Sequence, residues 1–226
     1  MTIRWRLVGG IAAAAVVLAS PWWGTELLQE FAFFRVRKVE VHGTRWVDPQ
    51  VLVDRMAVDT TRSVWDDLDR LEGRVRGHPQ VASVQIERRL PGTLVVTVEE
   101  VVPIALVPAR EGFRAFDATG KALPLEPSEV PVDAPVIAQR DTAVLGLLGR
   151  VRSDQPEVYA RISEVRRAGK GELVVTMSDV PVRTLAEVTT ARLSEILPVT
   201  RDLERRGLRA KELDLRYRDQ VIARLP

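Results

Sequence analysis

Two histidines, His42 and His78, are the side chains best suited to metal binding or proton transfer in this chain. A zinc site or a catalytic histidine needs further His, Cys, Asp or Glu at a spacing that gathers the side chains. His42 and His78 fall at a strand end and a helix end, without an acid at ligand spacing, which suits ordinary loop hydrogen bonding. Cysteine is absent. That excludes a thiol nucleophile, a disulfide scaffold and any Cys-held zinc or iron–sulfur cluster. Glu99 and Glu100 form a carboxylate pair, but adjacent strand residues point to opposite faces and cannot share one proton transfer. Neither a G-x-S-x-G elbow nor a glycine-rich phosphate loop occurs. The residues therefore predict no catalytic group, no metal site and no cofactor: a binding protein rather than an enzyme.

What remains is backbone chemistry. Residues 220–225 read as a closing strand, and a sheet edge offers unpaired N–H and C=O groups to a partner strand. Arg216, Arg218 and Arg224 fit equally well a charged edge that only resists aggregation, so the residues leave both readings open.

The elements that position this edge belong to a chain of 226 residues, long enough for one to two domains with real cores. Its 33 basic residues nearly balance 31 acidic ones. The two signs alternate along the chain, as on a mixed solvated surface, instead of gathering into a nucleic-acid-binding face. Aromatic residues, at 5%, are too few for rows of base-stacking platforms. No nucleic-acid partner is expected.

Residues 7–25 carry no charge; Arg4 and Arg6 precede them and Glu26 follows. As a helix this run spans about 28 Å, enough for a bilayer core, with the basic flank (residues 1–6) in the cytoplasm. Leu7, Val16 and Leu18 would lie within the anchor, and Trp22 and Trp23 at the outer interface. A cleaved signal peptide competes, since the densest apolar stretch, residues 8–19, has the length of a signal core. The rings that follow (Phe31, Phe33, Phe34) favour the uncleaved anchor, because cleavage would expose them. Both readings place residues 35–226 outside the cytoplasmic membrane.

Residues 36–42 alternate like a strand, and Gly43 stops it. Asp48-Pro49 is a helix start. A second helix is predicted from about Ser63, with Trp65, Leu68, Leu71 and Val75 as its stripe. Strands over 81–88 and 94–100 follow, joined by Leu90-Pro91-Gly92-Thr93 with Gly92 free for positive φ. This β-α-α-β-β order fills residues 35–102. Residues 103–226 read as a mixed β-sheet domain with covering helices. Short strands are expected over 104–107 and 112–116, a turn at Asp117-Ala118-Thr119-Gly120, and a proline-rich surface loop over 123–135. A helix over 144–151 and strands over 162–167, 172–177 and 182–184 come next. A helix over roughly 187–206 is expected, interrupted or kinked by Pro198. In the strand over 211–217, Leu213 and Leu215 face inward and Asp214 and Arg216 outward. The predicted fold class is thus α+β behind a transmembrane helix.

These signposts together resemble the FtsQ/DivIB family of bacterial cell division proteins. Phe34-Arg35-Val36-Arg37-Lys38-Val39-Glu40-Val41-His42-Gly43 is similar to the opening strand of a POTRA domain. His78-Pro79-Gln80-Val81-Ala82-Ser83-Val84 with Arg88-Arg89-Leu90-Pro91-Gly92-Thr93-Leu94 resembles that domain's helix exit and hairpin. Glu100-Val101-Val102-Pro103-Ile104-Ala105 resembles the junction into the family's β-domain. Phe116-Asp117-Ala118-Thr119-Gly120 and Glu212-Leu213-Asp214-Leu215-Arg216-Tyr217 resemble its later markers. The resemblance implies a non-enzymatic, single-span scaffold of the inner membrane at the division septum, linking early and late division proteins. It implies partners of the FtsB and FtsL kind, bound by strand addition at the last strand, and further division proteins as contacts. By position it puts the partner contacts at Arg216, Tyr217, Gln220, Val221 and Ile222, with Arg216 as a fork donor to an acidic partner residue. Two alternatives stand beside it. A POTRA module of outer-membrane protein transport would show serial POTRA units or a barrel. An exported cell-wall enzyme would need a nucleophile or paired acids.

Overall fold

The computed structural model describes residues 32–58, 63–65, 67–128 and 130–226. The expected anchor, with Leu7, Val16, Leu18, Trp22 and Trp23, lies outside the described residues. Among those described, no helix is long and apolar enough to cross a membrane. The chain is α+β and divides into two compact units between Val101 and Val102.

The first unit runs β1 (Lys38–His42), α1 (Pro49–Met56), α2 (Leu68–Arg76), β2 (Val81–Arg89) and β3 (Thr93–Glu100). Its sheet has the order β1-β3-β2, with β1 parallel and β2 antiparallel to β3. Three strands cannot bury an apolar face alone. Leu52, Met56, Leu71 and Val75 from the helices therefore pack on Val84, Ile86, Val96 and Val98. Asp48 caps α1 by accepting from the Gln50 N–H at 2.8 Å, with Pro49 in the first turn. Each helix is closed by an arginine of the other. Arg55 donates to the carbonyls of Arg74 and Gly77, both at 2.9 Å, and Arg74 to that of Met56 at 2.6 Å. Terminal carbonyls that lack intrahelical donors are satisfied in this way. Gly43, at φ +87°, is required: a Cβ there would lie 2.1 Å from the Val98 carbonyl oxygen.

Two expectations are corrected in this unit. The second helix starts at Leu68, where Asp67 accepts from the Asp69 N–H at 3.0 Å, and not near Ser63. Ser63 bridges to Arg35, and the Val64 N–H reaches the Phe34 carbonyl at 2.8 Å, so this stretch pairs as extended chain. Gly92 does not take positive φ. It is small because a Cβ would stand 2.6 Å from the Arg35 carbonyl oxygen, while its own carbonyl accepts from Arg37 and Lys38.

The second unit runs β4 (Ala105–Pro108), β5 (Phe113–Phe116), β6 (Val136–Ile137), α3 (Thr142–Asp154), α4 (Pro156–Tyr159), β7 (Ile162–Gly169), β8 (Glu172–Met177), β9 (Val180–Leu185), α5 (Thr190–Ser194), α6 (Ile196–Arg205), β10 (Glu212–Asp214) and β11 (Ile222–Arg224). These strands form one mixed sheet of order β11-β10-β9-β8-β7-β6-β4-β5. Its pairing lines up Val165, Val175, Val182, Leu213 and Ala223 on one face, packed with Leu145, Leu148, Leu193 and Ile196. Arg166, Val174, Arg183, Asp214 and Ile222 line up on the other.

Of the two alternatives for the helix over 187–206, the structure shows the interruption, with α5 and α6 as separate helices. Proline at 198 has no N–H for the Ser194 carbonyl and its ring crowds that group, so the first helix ends there and a second starts at Ile196. The loop expected on the surface over 123–135 sends Leu123 and Leu125 into buried positions. The last strand is also shorter than expected, Ile222–Arg224 rather than 220–225.

Candidate partner-docking edge

The closing hairpin is built by alternation. Leu213 and Leu215 are buried, and Val221 and Ala223 pack partly on the same core. This fixes β10 beside β9 in parallel and β11 beside β10 antiparallel. β11 ends the sheet, and among the described residues no strand pairs with its outer side. In such a strand, the N–H and C=O groups not turned to β10 face outward.

A charge network holds the hairpin's outer face. Arg183 donates to Glu212 at 3.0 Å, and Arg224 lies 3.3 Å from the other Glu212 oxygen. Asp214, expected to face solvent, is 2% exposed. Its carboxylate accepts from the Arg216 backbone N–H, Nε and Nη2, the last at 2.6 Å, and Arg216 Nη1 reaches Glu172 at 2.9 Å. The Arg216 hydrogen bond holds the Asp214 carboxyl below its ordinary range, and Asp214 raises the Arg216 guanidinium in return. The fork expected to meet a partner is therefore occupied within its own domain. The spacing does carry a signal for this pair, since strand residues two apart share a face.

The other predicted contacts gather around the same hairpin. Tyr217 is 49% exposed, and Ile222, paired opposite Asp214, is also exposed. Gln220 is exposed and Val221 half-buried. The carbonyls of Tyr217 and Gln220 both accept from Arg192 Nη2 in α5, the latter at 2.8 Å. Arg192 was not singled out by the sequence, because its targets are backbone groups and leave no side-chain pattern.

At the opposite edge of the sheet, the Ala115–Phe116 end of β5 is closed by its own chain. Asp117 accepts from the N–H groups of Thr119 and Lys121, folding the chain back. Ala122 then bridges Phe116, and the Leu123 N–H donates to the Ala115 carbonyl at 2.9 Å.

Residues 34–100, which contain all of β1 to β3, match the POTRA domain of FtsQ type. The cell division protein FtsQ of Rhodothermus marinus is 29% identical over 212 residues, covering 84% of this chain and 77% of that protein. The chain carries an FtsQ-type POTRA domain within a longer similarity to FtsQ and DivIB cell division proteins. Other FtsQ/DivIB relatives extend the match. FtsQ of Myxococcus fulvus is 26% identical, covering 89% of this chain and 78% of its own length. The major extracytoplasmic domain of the trans isomer of DivIB from Geobacillus stearothermophilus aligns at 24% identity with a TM-score of 0.35, over 47% of this chain and 97% of that one.

Proposed function

We propose that this chain, with its FtsQ-type POTRA domain, acts in bacterial cell division as a non-enzymatic scaffold. Residues 7–25 anchor it in the inner membrane, residues 1–6 stay in the cytoplasm, and residues 35–226 act outside, at the septum. Its partners are single-span proteins of the FtsB and FtsL kind, which add a strand to β11 and so join early to late division proteins. The observation that carries this reading is the contrast between the sheet's two ends: the Ala115–Phe116 end of β5 is covered by residues 117–123, while β11 has an unpaired outer side among the described residues. Main-chain hydrogen bonds would supply affinity, and the exposed Tyr217 and Ile222 side chains would supply selectivity.

The test uses the full-length protein in mild detergent, titrated with the extracytoplasmic segments of its own FtsB- and FtsL-like proteins. Tyr217→Ala removes an exposed aromatic anchor, and Ala223→Pro removes an outward N–H of β11, because the Asp214–Ile222 and Glu212–Arg224 pairs turn the groups of 222 and 224 to β10. Each is expected to weaken binding by at least about 10-fold with circular dichroism unchanged. Wild-type binding by both variants overturns strand addition at β11.

A further inference from the structure

We propose that Arg192 is a positioning residue for the β11 edge, holding the 217–220 loop so that the edge is preformed; this rests on the docking reading above. Only three residues of β11 pair with β10. So short a ladder has little cooperativity of its own, and whatever fixes the connecting loop decides whether the edge is a strand or frayed chain.

The loop is held from two sides. On the sheet's outer face, Arg216 is tied to Asp214 and Glu172. From the helix layer, the Arg192 side chain, 15% exposed, donates to the carbonyls at both ends of residues 217–220. Arg192 is itself fixed: the Thr189 hydroxyl accepts from its backbone N–H at 3.2 Å, and Glu195 pairs with its Nη1. One nitrogen, Nη2, serves both carbonyls while Nη1 of the same rigid guanidinium pairs with Glu195, a division that the single nitrogen of a lysine on its flexible stem does not reproduce. Holding residues 217–220 also sets where the Tyr217 side chain stands and where β11 begins. A preformed edge avoids the ordering cost that a frayed one would meet on binding.

Amide hydrogen exchange on the full-length protein, with the partner titration above, tests this. Arg192→Met is expected to speed exchange at Ile222 and Arg224, whose N–H groups face β10, by about 10- to 100-fold, to leave β8 and β9 unchanged, and to weaken partner binding by about 10-fold. Arg192→Lys should fall between Arg192→Met and wild type. Tyr217→Ala should weaken binding while exchange stays as in wild type, which separates display of the edge from contact with it. Unchanged exchange at Ile222 and Arg224 in Arg192→Met overturns the proposal. So does a uniform rise through β7, β8 and β9 in both Arg192 variants, because the arginine would then support the whole domain. Wild-type binding by Tyr217→Ala and Ala223→Pro would instead overturn the docking reading, with the exchange data still deciding whether Arg192 holds the strand.

Discussion

At one end of the eight-stranded sheet, residues 117–123 turn back on an Asp117-centred loop and satisfy the Ala115 carbonyl of β5. At the other, β11 is held by three paired residues and two arginine clamps, and its outer side carries no partner strand among the described residues. A row of unpaired backbone groups invites uncontrolled pairing, so proteins usually blunt it. The first unit does so as well. On β2, the Ile86 N–H donates to Glu72 of α2 at 2.9 Å, and a bulge between Val81 and Ser83 distorts the strand. On the proposed docking reading, β11 is left uncovered for a partner while β5 and β2 are blunted, and charged neighbours such as Arg224 and Glu212 would guard it against pairing with copies of itself.

Removing the cover from β5 should break this contrast most strongly. Leu123→Pro deletes both the N–H that reaches Ala115 and a buried leucine. The expected loss is about 3 kcal/mol, read by chemical denaturation, with concentration-dependent self-association by sedimentation as the freed edge finds partners. A variant that stays monomeric at wild-type stability would show that β5 needs no cover.

Glu72→Ala makes the same challenge in the first unit on a smaller scale. It leaves the Ile86 N–H without its acceptor, at a cost of about 1 kcal/mol, and should raise exchange at Ile86 before other β2 amides. Uniform protection along β2 in this variant would mean that Glu72 does not close the edge.

The smallest effect separates the two units by pH. Burial first, and the nearby Arg55 second, hold His78 below its ordinary 6.5, with Glu100 opposing. The unfolded chain then binds a proton that the folded one does not, so the first unit should lose stability as pH falls below 6.5. Asp214 is held below its ordinary 3.8 by the Arg216 hydrogen bond, so its contribution is complete above that value and is lost as pH falls through the lower folded-state value. Protection at residues 222 and 224, taken relative to the intrinsic exchange rate at each pH, should stay flat down to about pH 4 and fall only on further acidification. In Asp214→Asn that acid step should vanish. A loss of protection at 222 and 224 already near pH 6 would detach the β11 clamp from Asp214.

Much of this was legible from residue types. Asp48-Pro49 marks the α1 start, and Asp117-Ala118-Thr119-Gly120 marks the turn that folds back toward β5. Alternating Leu213 and Leu215 correctly gave the buried side of the closing hairpin. The errors share a cause. Asp214 and Arg216 were assigned to solvent by polarity, yet a bidentate pair satisfies both and removes Asp214 from water. Ser63 has the chemistry of a helix cap, but Arg35, 28 positions earlier in the chain, pairs with it as extended backbone. β6 has two residues and therefore no period to read.

By itself the sequence determined the element types, the inward-facing apolar residues, the order β-α-α-β-β and the family resemblance, because periodicity, caps and turns act within a few residues of chain. Only the tertiary structure decided which edges are covered. Whether an N–H of β2 meets Glu72, or the carbonyls at 217 and 220 meet Arg192, depends on groups brought together across 14 to 28 positions. Backbone acceptors look alike at every residue, so nothing in the letters marks which of them an arginine will hold.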